Sequence, residues 1–128
     1  MLVRTAAVHE IGLFDERFFL YFEEIDLCLR AWRHGWQVAF LPDVEVMHTG
    51  GYSTAPRYHV YQEFYVQSCL YLYRKHRGFW AEQGLRAWIS TVAFANTLRW
   101  SWLYALQPQR RPDIAPWLTL SARLVRRL

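Results

Sequence analysis

Glu23-Glu24-Ile25-Asp26-Leu27-Cys28-Leu29-Arg30-Ala31-Trp32-Arg33-His34-Gly35, and directly after it Trp36-Gln37-Val38-Ala39-Phe40-Leu41, decide how the chain reads. The first stretch is written as a helix. Glu23, Glu24 and Asp26 fill the first turn, where unsatisfied N–H groups favour negative charge. Arg30, Arg33 and His34 fill the last turn, and Gly35 follows as a stop. Asp26 and Arg30 stand four residues apart, close enough to pair. Ile25, Cys28, Leu29 and Trp32 form an apolar stripe, predicted to be the buried one. The second stretch alternates with the period of a strand. After a turn at Pro42-Asp43, residues 44–48 alternate again, with Val44, Val46 and His48 on one face. Helix followed by strands predicts an α/β architecture.

Rotation along the helix separates the acids. At about 100° per residue, Glu23, Asp26, Arg30, Arg33 and His34 share one arc, expected to be solvated. Glu24 falls outside it, between Cys28 and Ala31, on the apolar side. A carboxylate at such a boundary has a disfavoured charged form and a raised proton affinity. That suits a general base near neutral pH. Acids in a first turn are equally ordinary partners of the helix dipole, and spacing alone does not choose between the two.

On the amino-terminal side, Met1-Leu2-Val3 reads as a short strand. Thr5 is placed to cap a brief helix over residues 6–11 that Gly12 stops. Residues 13–21 read as a loop that packs its phenylalanines. Beyond Thr49-Gly50-Gly51 the pattern turns helical. Helices are predicted over 58–76, ended by Gly78, and over 79–106. Residues 107–116 read as a Pro- and Arg-rich connection. A last amphipathic helix is predicted over 117–128, with Trp117, Leu120, Leu124 and Leu128 on one face. Residues 1–57 thus form an α/β part and residues 58–128 a helical part.

Composition bounds the partners. With 128 residues, 53% hydrophobic and 20% charged, the chain is neither a disordered tail nor a multidomain assembly. The net charge of +4 is uneven. Residues 1–48 hold eight acids against four arginines, and residues 49–128 hold eleven bases against three acids. Lys75 is the one lysine among fifteen Lys and Arg residues. Cys28 and Cys69 lack metal-site spacing and read as free thiols of a reducing compartment. Basic charge interleaved with aromatics can hold single-stranded nucleic acid. Here the acidic front repels phosphate and no recognition motif is present, so no nucleic-acid partner is expected. Residues 87–98 carry no formal charge but are too few to span a bilayer. With Trp80, Trp88, Trp100, Trp102 and Tyr104 they suit a membrane interface, Arg110, Arg111 and the final arginines meeting anionic lipid. Packing against protein, or self-association through exposed apolar surface, fits them equally.

Several motifs in order now carry a resemblance: Met1-Leu2-Val3-Arg4; Gly12-Leu13-Phe14-Asp15-Glu16-Arg17-Phe18-Phe19; Tyr21-Phe22-Glu23-Glu24-Ile25-Asp26-Leu27-Cys28-Leu29-Arg30; residues 46–53, Val-Met-His-Thr-Gly-Gly-Tyr-Ser; and Arg74-Lys75-His76-Arg77-Gly78. Over about residues 1–78 the chain resembles the carboxyl-terminal, acceptor-side half of a family 2 glycosyltransferase of the GT-A type, rhamnosyltransferase-like. The resemblance implies half of a Rossmann-like fold followed by a helical extension. It implies inverting transfer of a sugar from a nucleotide-sugar donor to a hydroxyl of a glycan or lipid-linked acceptor, in cell-surface polysaccharide synthesis. Glu24 matches the acid that deprotonates the acceptor, with Glu where the commonest form has Asp. Asp26 joins it in the catalytic set, as a support, an acceptor contact or a partner of Arg30. Glu23, Ser53, Arg57, Arg74 and Lys75 are candidates for substrate binding, with Ser53 and Arg57 in a loop that could close over substrate. His48 matches a ligand of the Mg²⁺ or Mn²⁺ that holds the donor diphosphate.

The family's nucleotide-binding half and its Asp-x-Asp have no counterpart in these 128 residues. The chain is therefore expected to be a fragment that is inactive alone. It is expected in the cytoplasm, at the inner face of the cell membrane if the aromatic helices bind lipid. The alternative is a non-catalytic module that binds a membrane surface or another protein.

Overall fold

The computed structural model describes residues 1–47 and 58–128. All regular structure among them is helical: α1 (Thr5–Ile11), α2 (Glu23–Arg33), α3 (Tyr58–Arg77), α4 (Phe79–Leu106), a 3-10 turn (Pro108–Arg110) and α5 (Arg111–Arg127).

The expected α/β half of a Rossmann-like fold is therefore corrected: no strand forms among the described residues. Residues 1–3, 36–41 and 44–47 read as strands in sequence but join no strand ladder among the described residues. A strand's N–H and C=O groups are satisfied only by a neighbouring strand, whereas a helix satisfies its own. Nor does one alternate face bury itself here: Phe40, Val46 and Met47 are all largely exposed.

The helices follow their local signals more closely. α2 keeps its three acids in the first turn and Arg30 and Arg33 in the last. Gly35 takes a left-handed φ of 81° beyond its end, and the Trp36 amide reaches back to the Ala31 carbonyl at 3.0 Å. α1 forms as expected, but Thr5 is its first residue and no side chain caps it. Gly78, at φ 89°, reverses the chain between α3 and α4. α5 folds back along α4 and also meets α3. Buried residues of this helical region include Leu70, Leu72, Ala93, Ile114 and Leu120; each large aliphatic contributes about 1.5–3 kcal/mol by leaving water. Ser90 and Thr97 donate their hydroxyls to the carbonyls of Arg86 and Ala93, both at 2.8 Å, which satisfies these polar groups within the helix.

α5 begins at Arg111, six residues before the predicted start, and runs through Pro116. An interior proline costs a helix about 3 kcal/mol. Burial of Ile114, only 2% exposed, and stacking of Trp117 on Trp100 at 6.4 Å offset that cost.

α2 turns inward the side opposite to its apolar stripe. Asp26 and Leu27 are buried, whereas Ile25 is exposed and Trp32 is 70% exposed. The stripe lines an open, almost wholly apolar groove of about 330 Å³ with Met1, Glu24 and Val38. The supposedly solvated arc is the one that packs, because α3 brings charges of opposite sign to it.

Candidate active site

The acid turn is set by the residues just before it. Tyr21 and Phe22 both have left-handed backbones, at φ 66° and 71°. Such a conformation costs a non-glycine residue on the order of 1–3 kcal/mol and persists only where surroundings impose it. Tyr65 of α3 imposes it here, its ring centroid 5.7 Å from that of Tyr21 and 4.9 Å from that of Phe22. Ser68 donates its hydroxyl to the Leu20 carbonyl at 2.8 Å. Phe18 packs on Tyr71 at 4.8 Å and Phe19 on Phe64 at 4.7 Å. Of the loop's phenylalanines Phe18 is buried while Phe14 and Phe19 stay exposed, so the expected packing holds only in part; the loop still delivers Glu23 and Glu24 at a fixed place.

Asp26 anchors that turn from below. Its carboxylate is fully buried. Oδ2 accepts from Arg30 Nε at 2.8 Å, and Oδ1 accepts from Lys75 Nζ and His76 Nε2, both at 2.7 Å. A carboxylate oxygen only accepts, so His76 carries its proton on Nε2. Its Nδ1 is buried without a hydrogen-bond partner among the described residues. Arg30 continues outward, donating through Nη1 to the Ile11 and Gly12 carbonyls and through Nη2 to that of Leu13. Lys75 Nζ also lies 2.7 Å from Asp15 Oδ2, which accepts from Tyr71 Oη at 2.8 Å as well. Arg17 closes the far side with a bidentate pair to Asp15, both bonds 3.1 Å, and lies over the Tyr71 ring at 4.7 Å. The lone lysine is explained by this bridge. A compact ammonium can serve two carboxylates in different directions, which a planar guanidinium does poorly.

Proton affinities follow the geometry. Burial pushes the Asp26 carboxyl up, but hydrogen bonds from Lys75, His76 and Arg30 outweigh it and hold it below its ordinary value. The Arg17 pair drives Asp15 far below the usual carboxylate range against the opposing effect of burial, with Lys75 and Tyr71 helping. Burial, then the bond to Asp15, pushes the Tyr71 phenol up to about 12. Burial alone pushes the Cys69 thiol up.

The predicted site residues now have places. Glu24 is exposed at the mouth of the apolar groove, so the burial expected of it falls on Asp26 instead. Glu23 is half-buried, and its Oε2 is buried with no hydrogen-bond partner among the described residues. Asp26 pairs with Arg30, as the spacing predicted, and also meets Lys75. Arg74 is exposed, lies 3.5 Å from Glu82 and stacks over Phe79. His48, Ser53 and Arg57 lie outside the described residues. The reading missed Asp15, Tyr71 and the inward role of His76. The unique lysine was the signal that could have found them.

The described residues alone do not make a metal site. No three of their His, Cys, Asp and Glu side chains come together to hold an ion. Both oxygens of Asp26 are taken by cations, and a carboxylate so paired offers little to a metal.

Comparison with known proteins then fixes the family. The model of the glycosyltransferase like family 2 matches residues 1–70, more than half of the chain and the whole acid turn. The chain belongs to that family. An N-acetylglucosaminyl-diphospho-decaprenol L-rhamnosyltransferase of Mycobacterium tuberculosis, in strains CDC 1551 / Oshkosh and ATCC 25618 / H37Rv, is 35% identical over 82 residues. That match covers 62% of this chain and 26% of each relative, so the chain spans about a quarter of their length. No solved structure matches.

Proposed function

We propose that this chain contributes the acceptor-activating part of an inverting glycosyltransferase. The acceptor hydroxyl oxygen attacks the anomeric carbon of a nucleotide-activated sugar. The bond from that carbon to the phosphate oxygen breaks, the nucleoside diphosphate leaves, and Glu24 takes the hydroxyl proton. The observation that carries the reading is the acid turn, which lies inside the family-matched segment and is held by a strained aromatic pair and, from beyond that segment, by the Lys75 and His76 anchor on Asp26. Exposure of Glu24 leaves it open to an acceptor. Glu23, beside it, is assigned to substrate contact.

The relatives are named for L-rhamnosyl transfer to N-acetylglucosaminyl-diphospho-decaprenol. We therefore assign this chain a rhamnosyl-type donor and a polyprenyl-diphosphate-linked acceptor, at the cytoplasmic side of the membrane. Arg74, Ser53 and Arg57 are assigned to substrate contact, and Lys75 to holding Asp26. His48 is assigned as one ligand of Mg²⁺ or Mn²⁺. Such an ion, when bound, offsets charge on the departing diphosphate. Donor binding is assigned to other polypeptide, since residues 1–128 hold no Asp-x-Asp. Turnover by the 128 residues alone would contradict that assignment.

The test is a chimera in which residues 1–78, which include Lys75 and His76, replace the corresponding segment of the mycobacterial relative. Glu24→Gln should lower its turnover by about 10²–10⁴-fold, the usual contribution of a general base, without changing its far-ultraviolet circular dichroism. Unchanged turnover rejects Glu24 as the base.

A further inference from the structure

We propose that the outward face of α4 lies flat on an anionic lipid surface. The inference stands on the surface of α4 and is independent of the sugar-transfer reading. Trp80, Trp88, Phe94, Leu98, Trp102 and Leu106 are each more than half exposed. At about 100° per residue they fall within an arc about 120° wide, along a helix about 42 Å long. The opposite side faces protein: Ala93 is buried, and Trp100 stacks on Trp117. Trp100 and Tyr104, grouped with the interfacial aromatics from sequence alone, belong to that inner side.

Charge selects the occupant. The stripe carries no acid. The one acid of α4, Glu82, is turned inward and lies 2.6 Å from Arg86 and 3.5 Å from Arg74. Glu63 of α3 is likewise buried, 2.7 Å from Arg127. Exposed arginines lie near the stripe: Arg77 precedes its start, Arg99 stands at its edge with its guanidinium over the Trp100 ring at 5.0 Å, and Arg110 and Arg111 follow its end, Arg111 over the Tyr104 ring at 5.0 Å. An apolar stripe set with tryptophan and edged by arginine matches a headgroup layer carrying negative charge. No helix among the described residues is long and apolar enough to cross a membrane, so the stripe lies along the surface. A second copy fits worse. Two-fold pairing through this face would set the Arg77 end of one α4 near the Arg110 and Arg111 end of the other, like charge against like. The groove on α2 is as apolar, but its one charged lining residue is Glu24, the wrong sign for such a surface.

The test is flotation of the 128-residue chain with phosphatidylcholine vesicles and with mixed phosphatidylcholine–phosphatidylglycerol vesicles, at low and high salt. Binding to the mixed vesicles, weakened by salt and accompanied by a blue shift of tryptophan emission, is expected. The pair Trp88→Glu and Trp102→Glu should weaken it at least about tenfold, with circular dichroism unchanged. If glutamates disturb the helix, Trp88→Ser with Trp102→Ser replaces them. Failure to bind the mixed vesicles, or binding that neither pair changes, overturns the proposal. So does a solution dimer that the substitutions dissolve in a chain that ignores vesicles, which would make a second copy the occupant.

Discussion

At the junction of α2 and α3 a carboxylate is fully buried among a lysine, a histidine and an arginine, while on the outer side of α4 three tryptophans stand in solvent. Polarity alone would have sorted these residues the other way. What sorts them is the chemistry that arrives to meet each face. α3 brings Lys75 and His76 to Asp26, so burial there is charge-matched, satisfied and geometrically exact in its demands on each partner. Among the described residues, nothing covers the α4 stripe, which stays more than half exposed. The junction fixes the position of an acid turn. The stripe supplies unspent apolar area, which is a property of a surface that binds something.

If the junction is the lock this contrast makes it, Asp26→Ala should have the largest effect. It strands three part-buried cationic or donor groups and should cost about 3–5 kcal/mol of folding stability, read by urea unfolding. An effect near that of an ordinary surface change would remove the distinction between the two regions. Lys75→Arg is smaller and sharper. It keeps the charge and loses the two-way bridge between Asp15 and Asp26, for an expected loss of about 1–3 kcal/mol; full stability in that variant would show that charge alone suffices. Acid should have a smaller effect, and it should show at the junction. Asp15 and Asp26 have folded-state affinities below their ordinary values, so their contribution is fully present above about pH 4 and falls away as the pH drops below it. Asp15→Asn should remove part of that acid-side loss, compared with the parent in urea midpoints across a pH series. An unchanged acid limb would mean that Asp15 does not take part.

Much of the candidate site was legible. The acid turn and the Asp26–Arg30 pair lie within a short run of residues whose spacing fixes their relations, and the family resemblance rests on ordered motifs spread over about residues 1–78. Lys75 and Arg74 were singled out, though as substrate contacts. The clamp itself was not legible. Asp26 and His76 stand fifty residues apart, as do Asp15 and Tyr71 within a few residues, and no local period reports which distant turn will face which. The strain at Tyr21 and Phe22 was equally hidden, because aromatic residues carry no signature of a left-handed backbone when Tyr65 is what holds them there.

The sequence by itself determined where α2, α3 and α4 begin and end to within a residue or two, and which chemistry the first turn of α2 can offer. Those follow from bonds between residues four apart and from caps next door, which lie within the reading window. Only the tertiary structure decided which side of α2 is buried, that the alternating segments form no strand among the described residues, that α5 runs through Pro116, and that the single lysine is a bridge. Each of these depends on a partner distant in the chain. A ladder needs a second strand, and a buried carboxylate needs cations brought to it.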